Sequence, residues 1–146
     1  AAHQLLILTD LDRRAYGLRP VPGLARSLNR VARSGAAQHG DPNPMPLLES
    51  LHGQSIIGFG SDWAGGQPNA LVAYYGWMYD DGYGSPNLDC MNPAAAGCWG
   101  HRHNILGFAH APDLTMGASA LTHSASYALT IVETSTAPWS YSYRWR

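Results

Sequence analysis

The sequence predicts a single α+β domain, and three observations lead to that prediction. Helical patterns occupy the first half of the chain, two runs of alternating apolar and polar residues follow near the end, and no βαβ alternation connects them. The 146 residues, of which 45% are hydrophobic, are enough for one core and too few for two ordinary domains. We therefore expect one domain over residues 1–146.

The first two predicted helices lie before residue 40. The first spans approximately His3 to Tyr16 and ends at Gly17. Its predicted apolar stripe consists of Leu8, Leu11, Ala15 and Leu18. Pro22 is suited to open the second helix, because a proline in the first helical position loses no hydrogen bond. On the second helix, the apolar face consists of Leu24, Leu28, Val31 and Ala32, and the opposite, solvated face of Arg26, Arg30 and Arg33.

A loop, a short strand and a third helix are predicted in the middle of the chain. Glycine and proline mark residues 35–46 as the loop, and residues 55–59 are compatible with a short buried strand. Pro68 is expected to open the third helix, which stops at Asp81 and Gly82. The side chains expected in the core are Leu71, Val72, Tyr75, Met78 and Tyr79, whereas Trp77 and Asp80 are expected to point away.

An antiparallel hairpin is predicted near the C-terminus. Apolar residues alternate with small or polar ones from Leu114 to Ala120 and again from Tyr127 to Ile131. Residues 122–125 are expected to form the turn between these two runs. This hairpin supplies the main strand signal of the α+β domain.

Charge and hydropathy exclude two classes of partner. Nine arginines against ten acidic residues give a net charge of −1, so the chain lacks the basic surface that nucleic acid or an anionic membrane requires. The longest apolar run, Leu5 to Leu8, is far shorter than the roughly 20 residues of a membrane span. No signal segment is recognised at the start. We expect a soluble protein that is either mature or excised from a longer precursor.

Cys90 and Cys98 indicate the compartment. A disulfide between them would close a short loop, would contribute about 2–3 kcal/mol to stability, and suits an exported protein. As thiolates, they would form a zinc set with His101 and His103, but the usual zinc knuckles pair ligands about two to four residues apart. We therefore expect the disulfide.

Residues 98–106, Cys-Trp-Gly-His-Arg-His-Asn-Ile-Leu, concentrate more functional side chains than any other part of the chain. A histidine directly after Gly100 can lie where a loop enters a short helix. Its imidazole would then face a cleft, while Ile105 and Leu106 anchor the helix in the core. In the alternative interpretation, His101 is a structural histidine and His103 is exposed to solvent.

This segment resembles the bacterial branch of the CAP superfamily, which groups cysteine-rich secretory proteins, antigen 5 and plant pathogenesis-related proteins. The resembling parts are residues 97–106, 77–82 and 84–87. The resemblance continues through residues 13–18, the second helix and the hairpin, so it covers nearly the whole chain. It implies an α-β-α sandwich, with a small antiparallel sheet between helices, in a secreted or cell-surface protein.

The typical cleft of this family holds two histidines and two acidic residues. By the resemblance, His101 matches the second histidine, and Asp80 occupies a place where a glutamate often stands. His39 is the preferred first histidine, with His52 as the alternative. Many relatives have Gly-Glu-Asn-Ile where this chain has Gly-Gln-Ser-Ile, so Gln54 replaces a carboxylate. The resemblance thus implies an incomplete cleft set.

Two functions are compatible with this cleft. The resemblance implies an exported binding module without catalysis, whose cleft engages a lipid, glycan, peptide or protein partner, because family members are associated with sterol or lipid binding and with cell-wall contexts. The alternative is a zinc hydrolase or peptidase that uses His39, His101 and Asp80, with water in the fourth position.

The binding module is the favoured expectation, because the hydrolase lacks an evident general base. Gln54 cannot accept a proton, and Glu49 would have to approach from a loop. We expect that no cofactor is required, although Zn²⁺ or another divalent cation could occupy the cleft.

Overall fold

The fold was determined as a computed structural model, and the structure describes residues 1–51, 56–109, 113–135 and 139–145. The helices are α1 (Ala2–Ala15), α2 (Arg26–Gln38), α3 (Met45–Glu49), α4 (Ala70–Tyr79) and α5 (Gly100–Leu106). The strands are β1 (Gly23–Ala25), β2 (Ile56–Gly65), β3 (Asp113–Leu121), β4 (Ser126–Thr134) and β5 (Tyr141–Arg144). These elements confirm the α+β class.

The five strands form one sheet in the order β2-β4-β3-β1-β5. The predicted hairpin is confirmed, because β3 and β4 pair antiparallel with Ala118 opposite Leu129. A short 3-10 turn over residues 122–124 connects them. β1 is parallel to β3 and antiparallel to β5. Neither β1 nor β5 was predicted, because strands of three and four residues are too short to show an alternating pattern.

Helices cover both faces of this sheet. Along β4, Leu129 and its same-face neighbours belong to a core shared with α1, α4 and α5. Val132, on the opposite face, packs with Leu28 of α2 and Leu48 of α3. The architecture is therefore a three-layer α-β-α sandwich, with the larger core on the side of α1, α4 and α5.

α2 lies very close to the sheet. A Cβ atom at Gly117 would overlap the main chain of Leu28, so only glycine permits this approach. Two hydrogen bonds also connect α2 to the sheet: the Ala118 N–H, beside Gly117, donates to Asn29 Oδ1 at 3.1 Å, and further along the helix Ser126 Oγ donates to the carbonyl oxygen of Ala36 at 2.6 Å.

The predicted start of α2 is wrong. The helix begins at Arg26 rather than Pro22, because the intervening residues form β1 and pair with two strands. It continues to Gln38, inside the segment predicted as a loop. The exposed basic face is confirmed for Arg26, Arg30 and Arg33.

The predicted buried face of α1 is also wrong. Leu11 is 55% exposed, and the residues that are buried instead are Leu5, Leu6, Thr9, Asp10 and Arg13. A pattern of apolar residues cannot predict this face, because two of its members are charged and are buried with partners. Asp10, for example, accepts a hydrogen bond from the Val21 N–H at 2.6 Å.

The predicted orientation of α4 is wrong as well. Trp77 is only 3% exposed, whereas Leu71, Val72, Tyr75 and Tyr79 are 38–55% exposed. The helix is apolar around its whole circumference, so periodicity does not define a buried side. Trp77 can be buried because its indole N–H donates to the carbonyl oxygen of Trp63 at 3.1 Å.

The outer edge of β2 is occupied by side chains. The carbonyl oxygens of Ser61 and Trp63 accept hydrogen bonds from Asn104 and Trp77, respectively. Such contacts protect an edge strand from pairing with another chain. No helix within the described ranges is long and apolar enough to cross a bilayer.

Candidate functional site

A groove of about 540 Å³ lies beside the C-terminal half of β2. Four parts of the chain line it: the residues that follow α2, the end of β2, one side of α4, and the loop between α4 and α5. His101, in the first turn of α5, also reaches the groove. This volume is in the range of sites that hold small molecules or peptide side chains.

His101 is held in the groove by Asp81. Its Nδ1 lies 2.6 Å from Asp81 Oδ1, and the Asp81 carboxylate is almost fully buried. Asn87 donates to the same oxygen at 2.7 Å, and the Arg102 N–H donates to Oδ2 at 3.2 Å. The carboxylate therefore fixes both the imidazole and the entry into α5.

The geometry before α5 follows from local backbone chemistry. Trp99 precedes the helix with φ 63°, a left-handed conformation that is unusual for a bulky residue. Its N–H donates to the carbonyl oxygen of Asp81 at 3.0 Å, and its ring covers Gly82, where a Cβ would clash. These contacts place Asp81 directly beside His101.

Several groups change the pKa of His101. Burial of the ring lowers the pKa, but the hydrogen bond from the ring to Asp81 and the charges of Asp62, Asp81 and Asp41 outweigh that effect. The pKa of His101 is raised to about 9. The imidazole is therefore protonated at neutral pH and forms an ion pair with Asp81.

Asp62 lies fully buried below the groove. Asn104 donates to its Oδ1 at 2.8 Å, and Gly60 leaves the space that Asn104 needs. Burial raises the pKa of Asp62 well above its usual range, although the nearby His101 acts in the opposite direction. The two residues connect the edge strand to α5 through a buried polar network.

Charged groups of opposite sign hold the two ends of α5. Asp81 lies at the N-terminal end, where it accepts the Arg102 N–H. The buried Arg13 lies at the C-terminal end and donates to the carbonyl oxygens of Ile105 at 2.8 Å and Gly107 at 2.6 Å. Both charges complement the helix dipole, so they stabilise a helix of only seven residues.

Three more carboxylates surround the polar end of the groove: Asp41, Asp80 and Asp89. Asp41 accepts a hydrogen bond from the Trp63 N–H. Although the residue as a whole is exposed, crowding of its carboxylate by protein atoms raises its pKa, and the charge of Asp89 adds to this effect. His101 acts in the opposite direction on the pKa of Asp41.

The opposite wall of the groove is apolar. Val72, Tyr75 and Leu88 are exposed there by 38%, 55% and 82%, respectively. Leu88 lies two residues before the loop that the Cys90–Cys98 disulfide closes, with a Cα–Cα distance of 4.5 Å. The predicted disulfide is confirmed. Asn87 also holds this loop, because its side-chain amide donates to the carbonyl oxygens of Asp81 and Gly97.

The residues selected from the sequence have different positions in the structure. His101 lines the groove, and Asp80 lies at its exposed rim, whereas the adjacent Asp81 contacts the imidazole. His39 ends α2 in a left-handed conformation, with its ring 6.0 Å from that of Trp63. The following residues, Gly40 and Asp41, line the groove. His52 and Gln54 lie outside the described residues.

Sequence reasoning missed Asp62, Asp81, Asn87 and Asn104. The available signals were the Asp80-Asp81 pair directly after a helix and Asn104 three residues after His101 on a short helix. Neither signal shows which side chain Asp81 or Asn104 contacts, because the residues that meet around His101 come from separate parts of the chain.

The described side chains around His101 do not assemble into a zinc site. Within the described ranges, no group of three or more His, Cys, Asp or Glu residues is arranged to hold a metal ion. Asp81 occupies Nδ1 of His101, so only Nε2 is left as a metal ligand, and the raised pKa favours the protonated ring at neutral pH. Zinc binding requires a neutral imidazole, so the ring would have to lose a proton first.

Comparison of the chain with models of known protein families, with curated proteins and with solved structures finds no match. The resemblance to the CAP superfamily therefore depends on the motif residues of the sequence alone.

Proposed function

We propose that this protein is an exported, CAP-like binding module whose groove engages a lipid, glycan, peptide or protein partner. The observation that carries the proposal is the groove itself, which joins an exposed apolar wall to a fixed polar end around His101 and Asp81. Binding sites commonly combine apolar walls with a few polar groups that orient the ligand.

The state of His101 supports binding rather than hydrolysis. A general base must be unprotonated at the working pH, and a pKa of about 9 keeps this imidazole charged. A charged imidazole can donate a hydrogen bond to a ligand from the nitrogen that does not face Asp81. The histidine therefore serves as an orienting group in the proposed function.

The disulfide supports export. It is compatible with an oxidising compartment, where such bonds persist. It also restrains Cys90, two residues after Leu88, so it helps to order one wall of the groove before a ligand arrives. An ordered wall reduces the entropic cost of binding.

Filling the groove with a side chain tests the proposal. Gly76 lines the groove in the middle of α4, and a Cβ there meets nothing within 4 Å. Gly76→Leu should therefore fold and obstruct ligand access. Ala37→Leu, on the exposed face of α2, adds a leucine away from the groove and is the matched control.

The probes are decyl maltoside, chitotriose and a capped hexapeptide that alternates leucine and arginine, each titrated into labelled protein and followed by amide NMR shifts. We expect at least one probe to shift amides of the groove residues, and we expect Gly76→Leu but not Ala37→Leu to abolish the shifts. Absence of groove shifts with all three probes would contradict the proposed function.

A further inference from the structure

We propose that the occupant of the groove is a peptide segment in which an arginine or lysine lies next to an apolar side chain. The inference rests on the proposed function and specifies the partner. It depends on two features of the groove: its apolar wall and the sign of the charge at its polar end.

The apolar surface extends beyond the groove. The ring centroids of Tyr75 and Tyr79 lie 5.7 Å apart, so the exposed side of α4 continues the wall that Tyr75 begins. Leu71, on the same helix, is 50% exposed, and Met91, in the disulfide-closed loop, is 73% exposed. A surface of this extent fits a chain segment better than a single small molecule.

The charge at the polar end selects a cation. The groove is lined by Asp41, Asp80, Asp81 and Asp89, and the cation that lines it is His101. Since His101 is paired with Asp81 and also acts on Asp41, the carboxylates of Asp80 and Asp89 are those without a balancing cation among the described residues that line the groove. They disfavour anionic lipid headgroups and acidic glycans, and they attract an arginine or lysine.

The nearest arginine of α5 does not cancel this charge. Arg102 donates to the carbonyl oxygen of Met78, and its guanidinium lies over the rings of Tyr16 and Trp99, 5.2 and 5.6 Å from their centroids. Its side chain is not part of the groove lining. Arg102 therefore does not compete with a ligand cation for the carboxylates of Asp80 and Asp89.

The outer edge of β2 does not provide main-chain pairing for such a peptide, because Asn104, Trp77 and Asp41 already occupy it. Recognition must therefore come from side chains: an apolar one against Val72 and Tyr75, and a basic one at the acidic end that Asp80 and Asp89 line. This geometry requires the basic and apolar residues of the partner to be close in sequence.

Three capped hexapeptides test the inference by calorimetric titration: leucine alternating with arginine, with glutamine or with glutamate. The arginine peptide should bind more tightly than the glutamate peptide by about tenfold or more. The double variant Asp80→Asn, Asp89→Asn should weaken binding of the arginine peptide by about fivefold. The effect is modest because the ion pairs that the peptide arginines form with these two carboxylates are exposed to solvent. Glu49→Gln, a charge removal on α3 outside the groove, should leave its affinity unchanged.

Equal affinity for the arginine and glutamine or glutamate peptides would overturn the inference. So would an unchanged affinity of the arginine peptide for the double variant. Binding of decyl maltoside or chitotriose that Gly76→Leu abolishes, with no peptide bound, would retain the proposed function and overturn only the peptide assignment. If no probe binds, both proposals fail.

Discussion

α2 and α4 cover opposite faces of the same sheet, yet their outer surfaces differ. The exposed side of α2 carries three arginines, whereas the exposed side of α4 carries leucine, valine and tyrosine. An apolar surface on a helix that already has a buried face adds nothing to the core. α2 thus presents a solvated face, while α4 has a second, apolar surface, which is the one that the proposed function uses for binding.

The largest expected change in stability concerns the buried and exposed sides of α4. Trp77→Ala should reduce the free energy of unfolding by about 3–5 kcal/mol, because it removes a buried indole and its hydrogen bond. Tyr75→Ala, on the exposed side, should change it by about 0.5 kcal/mol or less. Urea denaturation measures both, and equal losses would show that α4 has no distinct outer surface.

A pair of alanine substitutions compares the two helices directly. Gly117→Ala should destabilise the protein by about 3 kcal/mol, because the added methyl overlaps the main chain of α2. Gly76→Ala, within α4, should stabilise it by about 0.5–1 kcal/mol, because alanine favours the helix and meets open space. Thermal unfolding of the two variants distinguishes them, and a destabilising Gly76→Ala would contradict the open groove.

Removing the disulfide tests the loop that extends the surface of α4. The double variant Cys90→Ser, Cys98→Ser should lose about 2–3 kcal/mol, because the unfolded chain is no longer restricted by the closed loop. Calorimetric unfolding measures this loss. Affinity for the arginine peptide should also fall, since Leu88 and Asp89 directly precede Cys90, which the disulfide no longer restrains. A loss of stability with unchanged affinity would mean that the disulfide does not order the groove.

A further expected effect is the pH dependence that His101, in the first turn of α5, confers on the segment after α4 through its ion pair with Asp81. The pKa of this histidine is about 9 in the folded protein and about 6.5 in an unfolded chain, so the folded state binds the proton more tightly. Protonated His101 makes its full contribution to the free energy of unfolding below about pH 6.5. This contribution is lost as the pH rises towards 9, by at most about 1.4 kcal/mol per pH unit.

Histidine ring signals in an NMR titration give this pKa directly, and His101→Gln should remove the corresponding slope between pH 7 and 9. A midpoint near 6.5 would show that the ion pair with Asp81 does not hold in solution.

The sequence correctly predicts the elements whose pattern of apolar and polar residues is compatible with one secondary structure and one exposed face. The β3–β4 hairpin alternates regularly, and both the hairpin and the exposed arginines of α2 are found where expected. The disulfide was predictable from two cysteines close together in a loop. In each case the local sequence carries the information.

Two kinds of feature could not be predicted. The orientation of α4 depends on which of several apolar sides meets Trp63 and the sheet, and periodicity does not contain that choice. Burial of Asp10 and Arg13 depends on main-chain partners from distant segments. The candidate site combines both difficulties: His101 was selected correctly as a groove residue, but its partner Asp81 is defined only by the folded chain.

The charged residues at the two ends of α5 have a consequence for amide hydrogen exchange. A seven-residue helix at the surface would ordinarily open locally and exchange its amide hydrogens within seconds. Here, opening its first turn would break the contacts with Asp81, and opening its last turn would leave Arg13 buried without its carbonyl partners. The amides of α5 should therefore exchange almost as slowly as those of β4, so that His101 keeps its position until the whole domain unfolds.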